Sequence, residues 1–169
     1  MQISTLGPEG TDSEYASHHY SSIKKLNSKV KLFPSYKEAA DSLVKGESDY
    51  FLMASAAADF SEFVFKLPYR GKIEISDAFV FPTADIVLIK RKGVQKVKTV
   101  LCYAGNAGLV AKEKYKIVDC KSKSLAPTEC LQGKADAALT SIRLFDKDKF
   151  HLVENFGSFK MSWNVFRKI

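Results

Sequence analysis

Four short stretches of this chain put small or hydroxylated residues where a strand would end and a helix begin. They are Gly7 to Ser13, Ser55 to Asp59, Gly105 to Ala107, and Thr140 to Ile142. A helix start carries N–H groups without intrahelical partners and a partial positive charge, so such a turn holds a carboxylate or phosphate without an arginine. Several converging on one cleft would hold a dicarboxylate. The binding residues singled out on this ground are Gly10, Thr11, Ser13, Ser55, Asn106, Ala107, Thr140 and Ser141. Arg143, directly after the Thr140–Ser141 turn, is the arginine best placed to meet an anion, although its position suits a surface ion pair equally well.

Several other chemistries lack their residues. There is no G-x-S-x-G and no paired Cys/His arrangement, Gly7-Pro8-Glu9-Gly10 is not G-x-G-x-x-G, and no Walker sequence occurs. Cys102, Cys120 and Cys130 show no C-x-x-C spacing and read as free thiols. With His18, His19 and His151 they supply no four-ligand zinc set, so neither a metal nor another cofactor is expected. His18 and His19 fall inside the first expected helix, as surface or packing residues.

The net charge is +7, from 26 basic and 19 acidic residues. Two lysine-rich clusters, at residues 24–31 and 90–98, come with no groove-entering helix or stacking platform, so nucleic acid is not an expected partner. Their field draws in small anions instead. No window approaches the roughly 18 apolar residues of a membrane span, and the first residues lack the pattern of a secretory signal. A cytoplasmic address is expected.

The elements that must position these residues alternate between strand and helix, the mark of an α/β fold. The pattern predicts strands at Gln2–Leu6, Val30–Phe33 and Tyr50–Met53, with helices from Ser13 to about Leu26, capped by Thr11 or Asp12, and from Tyr36 to Val44, ended by Gly46. Phe63-Val64-Phe65, Ile73-Glu74-Ile75 and residues 85–89 are strand-like. A second set follows: a strand over 96–102, a helix from Ala107 to Tyr115, a strand at Ile117-Val118, a helix from Ser124 to Leu131, and strands at Ala137–Leu139, His151–Val153 and Val165-Phe166. Two such sets predict two lobes with a cleft between them. The first would span about 1–80 plus the C-terminal strand, the second about 81–155.

The run Thr5-Leu6-Gly7-Pro8-Glu9-Gly10-Thr11-Asp12-Ser13-Glu14-Tyr15-Ala16 resembles the N-terminal motif of prephenate dehydratases, LGPEGTFSExAA. Phe33-Pro34-Ser35-Tyr36 through Asp49-Tyr50, and Lys121 to Leu139, also resemble stretches of that family. The resemblance implies the two-lobe catalytic domain of the type 2 periplasmic-binding-protein kind, without a regulatory ACT domain. It further implies a homodimer. Three motifs depart from the dehydratase pattern. Leu52-Met53-Ala54-Ser55-Ala56-Ala57 stands in place of V-P-I-E-N-S, Tyr103-Ala104-Gly105 in place of S-H-P, and Met161-Ser162-Trp163-Asn164-Val165-Phe166 where Thr-Arg-Phe would lie.

That last stretch is similar to the M-S-W-S-L-F motif of the prephenate decarboxylases that open bacilysin-type (anticapsin) pathways. The resemblance implies loss of carbon dioxide from prephenate, a small anionic substrate, without aromatisation. A dehydratase protonates the departing hydroxyl, whereas a decarboxylase must withhold that proton. On this reading, backbone N–H groups near Gly10-Thr11 and Thr140-Ser141 hold the pyruvyl group. Ser162 positions the retained hydroxyl or a water, and Trp163 either covers the ring or packs a core. Glu9, Glu14 and Tyr103 are the candidate proton donors. Two other readings stand beside it: a catalytically degenerate binder of small acids, favoured by the alanine-rich run after Met53, and an ordinary dehydratase.

Overall fold

Thr11 and Ser35 both have extended backbone, and each side-chain oxygen accepts from the N–H three residues on, at Glu14 and Glu38. These caps start the first two helices of the computed structural model, which describes residues 1–169: α1 (Asp12–Ile23) and α2 (Tyr36–Lys45). Gly46, at φ 78°, ends α2 in the left-handed conformation that glycine adopts without strain. Glycine is needed at position 7 for a different reason, since a Cβ there would stand 3.1 Å from that of Leu32.

The strands of this part are β1 (Gln2–Leu6), β2 (Lys29–Phe33), β3 (Tyr50–Ala54) and β4 (Ile73–Pro82), followed much later by the last strand, β10 (Lys160–Lys168). They form a sheet of order β2-β1-β3-β10-β4, in which β1 pairs in parallel with β2 and β3, while β10 runs antiparallel to β3 and β4. Successive strand side chains face opposite ways, so one face carries Phe51, Met53 and Phe166 and the other Leu52, Ala54, Trp163 and Val165. The first face packs on α2 and on α3 (Phe60–Gly71), the second on α1 through Ala16 and Tyr20. These elements make one unit, Met1–Pro82 with Lys160–Ile169.

Thr83–Phe159 makes the other. Its strands are β5 (Ile86–Arg91), β6 (Thr99–Cys102), β7 (Lys116–Asp119), β8 (Ala137–Ser141) and β9 (Phe150–Asn155), in the order β7-β6-β8-β5-β9. Val87, Ile89, Leu101 and Ala138 pack on α4 (Ala126–Leu131), and Ile86, Leu88, Val100 and Leu139 form a second cluster with Val110. No helix is long and apolar enough to cross a membrane.

Two sequence expectations fail. Phe63-Val64-Phe65 is helical, lying in α3, because Phe63 and Leu67 are one turn apart and both pack on the core with Leu43, Phe51 and Ile73. That burial overrides the strand preference of the aromatic and branched run. The helix expected from Ala107 to Tyr115 is a short 3-10 segment, Ala104–Leu109, broken up by Gly105 and Gly108.

Asp136 ties the second sheet together at one end. Its carboxylate accepts from the N–H groups of Lys98 and Thr99 and from the Thr99 hydroxyl, all within 3.0 Å. The Lys98 N–H first, with the Thr99 donors, holds this carboxyl below its ordinary range. A depressed carboxyl contributes stability that is present above the unfolded value of about 4 and is lost as pH falls through the lower folded value. Asp136→Asn should therefore lower unfolding stability at neutral pH by about 1–2 kcal/mol. It should also flatten the loss below about pH 4, as read by urea unfolding across pH; an unchanged acid profile would contradict this assignment.

Candidate functional site

In the first sheet the chain leaves β1 to one side for β2 and to the other for β3. Ligands of open α/β sheets sit outside the carboxyl ends of strands at such a switch point. At the end of β3 lies a connected polar cluster. Ser162 Oγ donates to Ser55 Oγ at 2.8 Å, and Asn164 Nδ2 donates to the same oxygen at 2.6 Å. The backbone supports this pairing, with the Ser55 N–H bonded to the Ser162 carbonyl at 3.1 Å. One residue earlier, the Ala54 N–H reaches the Tyr36 hydroxyl at 3.4 Å, which lies 3.0 Å from Ser13 Oγ. Ser13 is buried in the first turn of α1, and Tyr36 is the first residue of α2. Two helix starts and a strand end thus bring four hydroxyls and a carboxamide together.

Gly10 and Thr11 have a different role from the one expected. The Gly10 N–H donates to Glu14 Oε2 at 2.6 Å, and the Thr11 hydroxyl bonds the Leu6 carbonyl while accepting from the Glu14 N–H. The Gly10 N–H and the Thr11 hydroxyl are thus taken up in the cap of α1. Glu14 is likewise part of that cap, and Glu9 lies exposed in the turn without a hydrogen bond to the Ser55 cluster.

Of the two places open to Trp163, over a substrate ring or in a core, it occupies the core. Only 1% of it is exposed; it packs with Ile3, Ala16, Leu52 and Val165, and its indole N–H donates to the Phe81 carbonyl at 3.2 Å. The cause is strand periodicity, because Ser162 and Asn164 point to one face and the residue between them must point to the other. Of the histidines, His19 stacks on Phe81 with ring centroids 4.4 Å apart, and His18 is exposed.

The second unit has its own switch point, with β6 flanked by β7 and β8. Thr140 is fully buried and its hydroxyl donates to the Lys123 carbonyl at 2.7 Å, so it fixes a loop and does not face a ligand. Ser141 caps a three-residue 3-10 turn, accepting from the Arg143 N–H. The Asn106 N–H is bonded to the Tyr103 carbonyl, and Ala107 packs against the apolar cluster. Neither turn opens an α-helix, so neither offers the stacked N–H groups and dipole that the sequence pattern predicts at these positions. Arg143 is on the surface. The three cysteines are free; burial pushes the thiols of Cys102 and Cys120 up to about 11 and that of Cys130 upward, which makes them inert packing groups.

The sequence signals missed Tyr36 and Asn164. Tyr36 was visible only as the residue after a Pro-Ser strand break, and Asn164 only as a polar residue in an otherwise apolar strand, two places from Ser162.

Each unit is a mixed sheet covered by helices and carrying a switch point, which defines an α/β fold of the type 2 periplasmic-binding-protein kind. The fold is that of prephenate dehydratase catalytic domains. It superimposes on prephenate dehydratase from Arthrobacter aurescens, solved with L-Phe, with a TM-score of 0.75 at 13% identity, covering 100% of this chain and 61% of that one. The periplasmic VFT2 domain of Bordetella pertussis BvgS matches with a TM-score of 0.59 at 12% identity, over 99% of this chain and 80% of that one. In sequence the chain is 26% identical over 181 residues to prephenate decarboxylase of Bacillus subtilis, covering 99% of this chain and 87% of the relative. It is 23% identical over 180 residues to prephenate decarboxylase of Planktothrix agardhii, covering 98% of this chain and 87% of the relative. No family model matches the chain.

Because Trp163 belongs to the core, Trp163→Ala is expected to lower unfolding stability by about 3–5 kcal/mol. A ring lying over a ligand would instead show lost affinity at unchanged stability.

Proposed function

We propose that this chain is a lyase of the prephenate decarboxylase type, removing carbon dioxide from prephenate or a close analogue without forming an aromatic ring. What supports the reading most is the pairing of a resemblance to prephenate decarboxylases that runs over 98–99% of this chain with the placement of the Met161-Ser162-Trp163 motif. The serine of that motif stands in the polar cluster at the end of β3. Its tryptophan is the core residue beneath.

In the reaction, the bond from the ring carbon to its carboxylate breaks. The electron pair forms a new ring double bond, and the displaced pair of the neighbouring alkene takes a proton from water. Carbon dioxide departs and the 4-hydroxyl stays. The electrons move within the substrate's own diene, so no oxidant or reductant enters the balance. The hydroxyls of Ser13, Tyr36, Ser55 and Ser162 orient the substrate's oxygens, and +7 of net charge favours the encounter with a dianion. Work of this kind belongs at the head of a bacilysin-like biosynthetic route.

The test is incubation with prephenate, following the ultraviolet spectrum and released carbon dioxide. A non-aromatic dihydro-hydroxyphenylpyruvate is the expected product, and phenylpyruvate would mark a dehydratase instead. The alternative of a catalytically silent binder draws on the Ala54-Ser55-Ala56-Ala57-Ala58 run. Thermal stabilisation by prephenate with no spectral change would decide for it. Within the lyase reading, Tyr36→Phe is expected to lower kcat/KM by about tenfold at nearly unchanged stability.

A further inference from the structure

The lysine cluster at residues 90–98 has no part in the reaction proposed above, yet it borders an open groove of about 650 Å³ in the second unit. That size is ordinary for a small-molecule site. Three separate segments supply its cations: Lys90 near the end of β5, Lys96 in the turn that follows, and Lys114 just before β7. Backbone bonds hold these segments together. The Lys116 N–H donates to the Lys98 carbonyl at 2.9 Å, and the Lys114 N–H to the Ala111 carbonyl at 3.0 Å.

No carboxylate answers these charges. Lys90, Lys96 and Lys114 take part in no ion pair, and neither Asp nor Glu lines the groove. Asp136, at the same end of the sheet, is taken up by the N–H groups of Lys98 and Thr99. Ammonium groups gathered in one groove repel one another, and a bound anion reverses that cost. The remaining walls are largely apolar. Val97 and Tyr115 continue the cluster around Leu88 and Val100, while Leu152 and Val153 are 47% and 41% exposed.

The groove also lies away from the carboxyl strand ends, where ligands of such sheets sit. β6, β7 and β8 run parallel and begin beside it, whereas Tyr103 and Ser141 mark the far ends of β6 and β8. We propose that this groove is a second ligand site, which binds a phosphate monoester with its phosphoryl oxygens on the three lysines and its apolar body against Tyr115 and the aliphatic walls. Lysine meets phosphate as a point charge, and a monoester brings three terminal oxygens and close to two negative charges at neutral pH. A carboxylate brings one charge and two oxygens to the same three ammonium groups. Inorganic phosphate answers the cations but leaves the apolar walls in water. The site stands whether or not prephenate is the substrate.

The experiment is calorimetric titration of the full chain with phenyl phosphate, inorganic phosphate and benzoate at low ionic strength. Phenyl phosphate is expected to bind with a Kd of about 1 mM or tighter. Each of the other two is expected to bind at least about fivefold more weakly. Lys90→Gln/Lys96→Gln/Lys114→Gln should weaken phenyl phosphate about tenfold or more. Lys25→Gln/Lys29→Gln/Lys31→Gln removes as many charges from the first unit and should leave its affinity within about twofold. Equal losses in the two triple variants would reduce the effect to net charge and overturn the proposal. Benzoate or inorganic phosphate binding as tightly as phenyl phosphate would overturn it too, as would no binding of phenyl phosphate at about 10 mM. A second arm needs no variant: in ¹⁵N-labelled wild type, phenyl phosphate should shift the backbone amides of Val97, Tyr115 and Leu152. Shifts centred on Ser13 and Ser55 instead would put the ligand in the first unit and sink the assignment.

Discussion

The pairing of Trp163 with Ala54 across β10 and β3 is the constraint on which the first unit depends. It sets a register in which every second residue of β10 faces α1 and the others face α2 and α3. Trp163 and Val165 fill one core while Phe166 fills the other. The same register delivers Ser162 and Asn164 to Ser55. A slip of one residue would exchange the faces, exposing the indole and burying the two polar groups. Core and candidate site are thus two readings of a single strand alignment.

The polar cluster is tolerated at that position because it is satisfied internally. Asn164 is close to fully buried, and a carboxamide without a partner there would carry a penalty of about 1–3 kcal/mol. Ser55 removes the penalty by accepting from it. The hydroxyls of Ser4 and Thr5 deal with burial in the same way, each donating to a carbonyl of a neighbouring element. What separates the Ser55 group from these is partial exposure: Ser55 and Tyr36 are half-buried and Ser162 is exposed at the strand end.

The outline of the fold was legible from short-range signals. A hydroxyl cap at Thr11, the Pro-Ser break before α2, the glycine after it, and apolar runs at Tyr50–Met53 and Ala137–Leu139 are local devices, and the α/β class follows from them; the dehydratase likeness rests on the motif from Thr5 to Ala16. Elements decided by distant contacts were not legible. The helix through Phe63 exists because Leu67 one turn later meets the same core, and the stretch after Gly105 lacks an apolar stripe long enough to hold a helix. At the site, hydroxyl residues next to strand ends drew notice on composition alone, which picked out Ser13 and Ser55, whereas Ser162 came from the likeness of Met161–Phe166 to a family motif. Composition could not say which hydroxyls are tied inward, as in Thr11 and Thr140, since that depends on a carbonyl from another segment. Tyr36 and Asn164 enter only through the alignment of strands far apart in sequence.

The insertion of Thr83–Phe159 between β4 and β10 has a bearing on how the chain is made. A ribosome finishes β3 and β4 before it makes Thr83–Phe159, and only then the strand that belongs between them. Throughout that interval two neighbouring lanes of the sheet have unpaired edges, which are templates for pairing with other chains. The contiguous second unit is under no such delay and can close first. Nascent chains of this protein therefore invert the usual order in which the N-terminal part folds ahead of the rest.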